Sequence, residues 1–580
     1  MTLDPMRAKK WTLALAALIG LGTLRMGHFV DDYVFRAVMK GLPWFHQGGT
    51  ELYTLGPGDP ETIRPYIERG PYPWWTDDTF AARFFRPISS LTMTFDYGFD
   101  AAWPGHLQSA LWWLLVVAAV CALMPRLLRP RAAAIAMLLF VVEDSHFVVV
   151  TWVANRHALV SSAFALWGFW AWLRGRQDGA RWGLPLALLL FALALCSGES
   201  AMGVLAFVGA WELFGREAPL KDRVRGLAPL AVLGVAYVIN YKLGHYGTRG
   251  SDIYLDPSKQ PLDFLVAAPA RFLTLLSPLT LNVPADIFVV DWKVAAALAV
   301  TGATGALLWT LAGRSLWPSL DVKHRRAIGW LCAGCAASMV PVLAAFPGDR
   351  LLFATSFGAC ALLAVLVDAA FATGRWKKPA VVALGLQLLP ASIIWVAGAP
   401  GLATFDGAFR RFALEVGVSD EAMRGRVILV TAPDVFSAAY VGLIRFIEGK
   451  GHPRSYNIIS AAPADHRLTR TGAQSFELEP VGGPFLRTSM ERLFRNPKIR
   501  PFTVGERARI GAAQVTVVAL TDGLPARIRV ELDGPVENYT LVRWEQGKIR
   551  ALALPEVGQS LTLIKQPGPV EEVVGLSAGN

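Results

Sequence analysis

The chain has 580 residues, 53% of them hydrophobic and only 17% charged, with 20 tryptophans and 31 phenylalanines. That balance excludes an ordinary soluble protein of this length. Repeated apolar runs near the ~20 residues that cross a hydrocarbon core point to a polytopic membrane protein. The net charge of +11 does not argue for nucleic acid, because the basic residues outside the tail concentrate in short connectors between apolar runs, as the positive-inside pattern requires.

In chain order, the first run, Trp11 to about Met26, follows Arg7, Lys9 and Lys10. No small-x-small cleavage site follows it, so it reads as a retained helix with a cytoplasmic N-terminus. Further runs fall at 106–124, 132–142, 157–173, 182–196, 201–214, 227–243, 294–311, 328–345, 351–370 and 379–397. These make about eleven helices. Basic connectors carry Arg126, Arg129 and Arg131; Arg174, Arg176 and Arg181; Arg216, Lys221, Arg223 and Arg225; Arg314, Lys323, Arg325 and Arg326; and Arg375, Lys377 and Lys378. Each falls on the cytoplasmic side by alternation, and an odd helix number puts the tail outside. The segment 262–283, interrupted by Pro269, Arg271 and Pro278, reads as a re-entrant or surface-lying piece, because a full crossing would invert the charge pattern after it. The five cysteines, Cys121, Cys196, Cys332, Cys335 and Cys360, lie in apolar runs and read as packing residues, with no disulfide framework or zinc set.

Two outward regions are large. The loop 29–105 contains "PYPWWTDDTFAARFFRPISS", whose mixed aromatics and charges fit a segment lying on the membrane interface. Residues 1–400 with this loop form the expected transmembrane domain. The tail, 401–580, contains "RVILVTAPDVFSAAYVGLIRFIEGKG", which reads as strand, turn and helix. The later stretches "AQVTVVAL", "ARIRVEL", "YTLVRW" and "QSLTLI" read as strands. The fold class is therefore a polytopic α-helical membrane protein with a C-terminal extracytoplasmic α/β or β-rich domain.

This topology gathers the unusual ionisable residues at the outer face. Asp31 and Asp32 end the first helix. Arg86, Asp96 and His106 come next, then Glu143, Asp144 and His146, followed by Arg156 with His157, Glu199, Arg271, and Asp349 with Arg350. Charges near hydrocarbon are costly, so such a group marks function. Group transfer from a lipid-linked donor fits this chemistry. Arginine holds a phosphate at headgroup depth through paired, charge-assisted hydrogen bonds, and a carboxylate takes the proton of an attacking hydroxyl. In this reading Asp31 is the base, Asp32 a second ligand or an orienting group, and Arg86, Arg156, Arg350 and Arg271 the phosphate-binding cations.

Five stretches, in order, resemble the GT-C-fold glycosyltransferases of the protein O-mannosyltransferase-like kind: "FVDDYVF", "FRPISSLTMTFDYGFDAAWPGHLQSALWWL", "VEDSHFVVVTWVANRHALVSS", "ALCSGESAMGVL" and "GDRLLFATSFG". The similarity spans much of residues 1–215 and returns near 350. It departs from that group in reading "EDSH" where the group has "HP" and "SGE" where it has "SKE", and in lacking a tetratricopeptide array. The resemblance implies inverting transfer of a sugar from a polyprenyl-phosphate donor to an acceptor outside the cytoplasm (protein, lipid or glycan), with Asp31 as catalytic carboxylate, in a bacterial inner membrane. Some members of the fold use a divalent metal, but no distinctive ligand set stands in this sequence. Two other readings are a transporter or flippase of a lipid-linked saccharide, and a non-catalytic protein of envelope-polysaccharide assembly.

Overall fold

The computed structural model describes residues 4–286, 292–511 and 513–569; the last residues of the expected tail domain, 570–580, lie outside that range. The chain divides into two units. The first comprises residues 1–26, 85–245 and 255–400, and the second comprises 27–84, 246–254 and 401–580. One division falls between residues 400 and 401. Residues 27–84 instead fold with the tail.

The first unit is helical. Among the described residues, seven helices are long and apolar enough to cross a membrane: Trp103–Leu127, Leu220–Leu243, Pro261–Leu281, Lys293–Ser319, Val322–Ala344, Asp349–Thr373 and Lys377–Leu414. An eighth is added if Pro130–Val142 and Asp144–Thr151, bent by 45°, form one broken span. The other expected runs form helices that are shorter, Gly183–Leu195 and Ser200–Gly215, or that carry charges near an end, Pro5–Gly22 and His157–Gln177.

Aromatic and small residues alternate in its core. Trp113, Phe140, Phe169, Trp172 and Phe191 are fully buried. Gly168 faces Phe191, while Gly334 and Gly358 both face Phe207, so large rings seat against missing side chains. Large apolar residues also point outward: Val266 is 82% exposed and Val396 78%. A water-soluble surface does not carry so many such residues on neighbouring helices, whereas a lipid-facing one does.

The five basic connectors meet at one end of this unit. Arg126 bonds Asp178 at 2.8 Å, Arg131 bonds Asp368 at 3.1 Å, Arg129 pairs with Asp321 and Arg326 with Glu217. Arg176 donates to the Gly226 carbonyl at 3.0 Å. The segment 262–283 forms one 21-residue helix, Pro261–Leu281, despite its two internal prolines. Its neighbour Trp292–Leu316 passes in the same direction, with Gly302 against Leu273 and Ser277 and Gly305 against Thr280. By length and apolar composition Pro261–Leu281 is one of the helices able to cross a membrane, where a re-entrant or surface-lying piece was expected.

The described residues of the second unit form three sheets. Thr54–Pro57, Ala81–Arg83 and Gly247–Arg249 form a small antiparallel one. A mixed sheet runs Lys548–Ala551, Thr540–Glu545, Arg426–Thr431, Ser455–Ile458, and the last three strands are parallel. Helix Val435–Ile447, whose first turn is capped by Asp434 on the Ser437 amide at 2.8 Å, joins two parallel neighbours as the expected βα unit. The third sheet is antiparallel, in the order Ser560–Leu563, His466–Gly472, Ser475–Pro480, Leu524–Leu532, Ala513–Thr521, Arg507–Ile510.

The aromatic stretch expected at the membrane interface lies elsewhere. Tyr72, Trp74, Trp75 and Phe80 are buried in the core of this second unit. Trp74 donates to the Ile459 carbonyl at 3.0 Å and Trp75 to that of Glu491 at 2.9 Å. Each of these two rings finds apolar cover and a polar partner inside the unit.

Candidate functional site

Asp31 and Asp32 open the nine-residue helix Asp31–Met39, where carboxylates favour the positive end of the helix. The residue before them, Val30, has φ 47°. A β-branched side chain in that region is strained, so the turn is held from outside. Two carboxylates hold it: Asp32 accepts the Phe29 amide at 2.8 Å, and Asp406 accepts the Tyr33 hydroxyl while lying hard against Gly27.

The two aspartates are unlike. Asp32 is fully buried, whereas Asp31 is half-buried and accepts the Tyr440 hydroxyl at 3.4 Å. Burial and the adjacent Asp31 carboxylate push the Tyr440 phenol well above its usual range, so it stays a donor. Tyr33 is raised in the same way by burial and Asp406. The buried Arg36 guanidinium stands 3.5 Å from His28. Asp406 carried no sequence signal, since it sits 375 positions from Asp31 in an apolar helix.

The other expected residues belong to the first unit. Arg86 precedes helix Pro87–Asp96, and its Nε bonds Glu199 Oε2 at 2.8 Å. Glu199 also accepts from Tyr241 at 3.5 Å. Ser89 donates to the Ser197 carbonyl at 2.7 Å, which ties the "RPISS" and "CSGES" stretches together. Arg350 lies over the rings of Phe346 at 5.0 Å and Trp152 at 5.9 Å. Arg86 and Arg350 both stand close enough to His157 to act on it electrostatically. These two half-buried guanidinium groups share one neighbourhood.

Arg156 and Arg271 have different surroundings. Arg156 has no exposed side-chain surface; it pairs with Asp96 and donates to Ser109 at 3.0 Å and to the Gly105 carbonyl at 2.6 Å. It locks the Asp96 helix end and the His106 turn, where His106 is also buried, and turns no donor outward. Arg271 donates to the carbonyls of Leu343 at 2.8 Å and Ala345 at 2.9 Å, closing the end of a neighbouring helix.

Glu143, Asp144 and His146 form the break between the two bent helices. His146 bonds Ser356 at 2.7 Å and is ringed by Trp113, Phe140 and Phe353, so it is a core histidine. The Asp144 turn packs on the turn carrying Asp349. Asp349 accepts the Ala285 amide at 2.7 Å and its own amide donates to Asp286 at 3.3 Å. Among the described residues, no three His, Cys, Asp or Glu side chains are placed together to hold a metal ion.

No protein family's sequence profile matches the chain, and no curated protein matches it. Among solved structures it is similar to the oligosaccharyltransferase of Archaeoglobus fulgidus tethered through a disulfide to an acceptor peptide containing the NVT sequon, at 11% identity and a TM-score of 0.37. That similarity covers 77% of this chain, which spans just under two thirds, 64%, of the other.

Proposed function

We propose that the protein is a membrane glycosyltransferase of the GT-C kind, moving a sugar from a polyprenyl-phosphate donor to an acceptor outside the cytoplasm. The observation that carries this reading is the pair Arg86 and Arg350, half-buried around His157 in a helical unit whose apolar flanks face lipid. Two cations at such a site suit a phosphate that cannot leave the membrane. The helical unit crosses about eleven times, with its N-terminus and basic connectors in the cytoplasm of a bacterial inner membrane and residues 401–580 in the periplasm. The resemblance of the five ordered stretches supports the same reading.

In the reaction, the Asp31 carboxylate takes the proton of the acceptor hydroxyl as that oxygen forms a bond to the sugar C1. The C1–O bond to the lipid phosphate breaks on the opposite face, so the anomeric configuration inverts. Both electrons of that bond go to the phosphate, whose added charge Arg86 and Arg350 stabilise. Of the two acids, half-buried Asp31 is the base, because Asp32 is enclosed and already fixes the Phe29 amide.

The test is transfer by the purified full-length protein against a panel of lipid-linked sugars, with Asp31→Asn beside it. Loss of transfer in a folded, membrane-inserted variant supports the assignment, and full transfer by that variant overturns it. A carrier reading draws on the buried acids Glu143 and Asp144 at a helix break, a construction transporters use. Movement of the lipid-linked sugar across liposomes without transfer decides in its favour.

A further inference from the structure

At the basic end of the helical unit, helices Trp292–Leu316, Val322–Met339 and Phe353–Thr373 leave a groove of about 410 Å³, within the size range of small-ligand sites. Its walls are apolar, among them Trp309, Ile328 and Leu366, and Gly313 opens its floor. Leu307, Leu308 and Leu311, beside it on the same helix, are exposed. A groove among outward-facing apolar side chains at membrane depth suits a hydrocarbon chain, which brings no polar group to be satisfied there.

The mouth of the groove is charged. Arg314 lines it and is exposed, with no hydrogen bond or ion pair to it among the described residues. Its cationic neighbours are committed. Arg325 donates to the Trp317 and Pro318 carbonyls at 3.1 Å each and lies over the Trp317 ring; Lys323 donates to the Leu128 carbonyl at 3.1 Å; Arg326 pairs with Glu217 and Arg129 with Asp321. Arg325 thus fixes Trp317 at the rim and leaves Arg314 as the lining cation that faces outward.

We infer that this groove is a binding site for one anionic phospholipid, with its phosphate at Arg314 and an acyl chain laid along Trp309, Gly313 and Leu366. A basic pocket between spanning helices selects an anionic headgroup by charge, and the tryptophans Trp309 and Trp317 suit the boundary between headgroup and chain. This site stands whether or not the protein transfers sugar, and it uses none of the residues assigned to that reaction.

Native mass spectrometry of the delipidated full-length protein, titrated with phosphatidylglycerol or phosphatidylcholine, tests it. One phosphatidylglycerol per chain should bind about tenfold more tightly than phosphatidylcholine, the value of one charge-assisted contact. Arg314→Gln, at an exposed position, should erase that preference. Gly313→Phe should remove the bound lipid altogether, because a side chain there meets only Leu366, at 3.9 Å, and grows into the groove. Equal affinity for the two lipids, or an unchanged preference in Arg314→Gln, overturns the proposal. If Gly313→Phe does not fold, the Arg314→Gln titration decides alone.

Discussion

The two ends of the helical unit handle charge in opposite ways. At one end the basic connectors pair across loops, and the groups remain partly in solvent: the side chains of Arg126 and Asp178 are 23% and 33% exposed. At the other end Arg156 and Asp96 are enclosed together, while Arg86 and Glu199 are half-buried. Exposed pairs contribute little to stability and record which side of the membrane the connectors prefer. Enclosed charges are expensive to bury, so each must either hold the structure or perform chemistry. The difference separates topology from function within one bundle.

Experiments can break that distinction, the largest effect first. Arg86→Gln and Arg350→Gln should each lower sugar transfer by about 10²–10³-fold, the usual loss when one group stabilising a developing anion is removed. Arg129→Gln at the basic end should leave transfer unchanged. Equal losses at both ends would erase the comparison.

Next in size is Arg156→Met, which leaves Asp96 buried without its partner and should cost about 3–5 kcal/mol, read as a fall in thermal unfolding temperature in detergent. Adding Asp96→Leu should recover most of the loss. Recovery would mark the pair as structural, in contrast to Arg86 and Arg350.

The second unit supplies a test by pH. His466 is buried against Ser460 at 2.8 Å, and burial pushes its pKa down to about 4. The unfolded chain takes up the proton near pH 6.5 while the folded one does not. The stability is therefore fully present above about pH 6.5 and is lost as pH falls through about 4. The loss amounts to about 3 kcal/mol. Equilibrium unfolding of the full-length protein at a series of pH values measures it, and His466→Gln should flatten that part of the profile. The smallest effect belongs to Arg126→Gln: its pair with Asp178 is solvent-exposed, so the thermal unfolding temperature should stay within error of the parent protein.

Much of the fold is legible in local pattern. The apolar runs became helices, the basic connectors converged on one end, and "RVILVT" with its following helix became the parallel βα unit. Parts of the polar site are legible too: Arg86 with Glu199, and Arg350 near His157, join stretches that the sequence had singled out separately. The partners that set each residue's role were not. Asp406 on Tyr33, Tyr440 on Asp31, and the enclosure of Arg156 all depend on contacts between distant positions.

Sequence by itself determined that this chain lives in a bilayer and carries a strand-rich tail, because hydropathy and alternation are properties of neighbouring residues. Tertiary structure alone decided that Tyr72, Trp74 and Trp75 fill the core of the second unit instead of lying on the membrane, and that Arg156 locks a helix while Arg86 and Arg350 stay half open. Aromatic rings and guanidinium groups suit an interface and an interior equally well, and only the groups packed around them choose between the two.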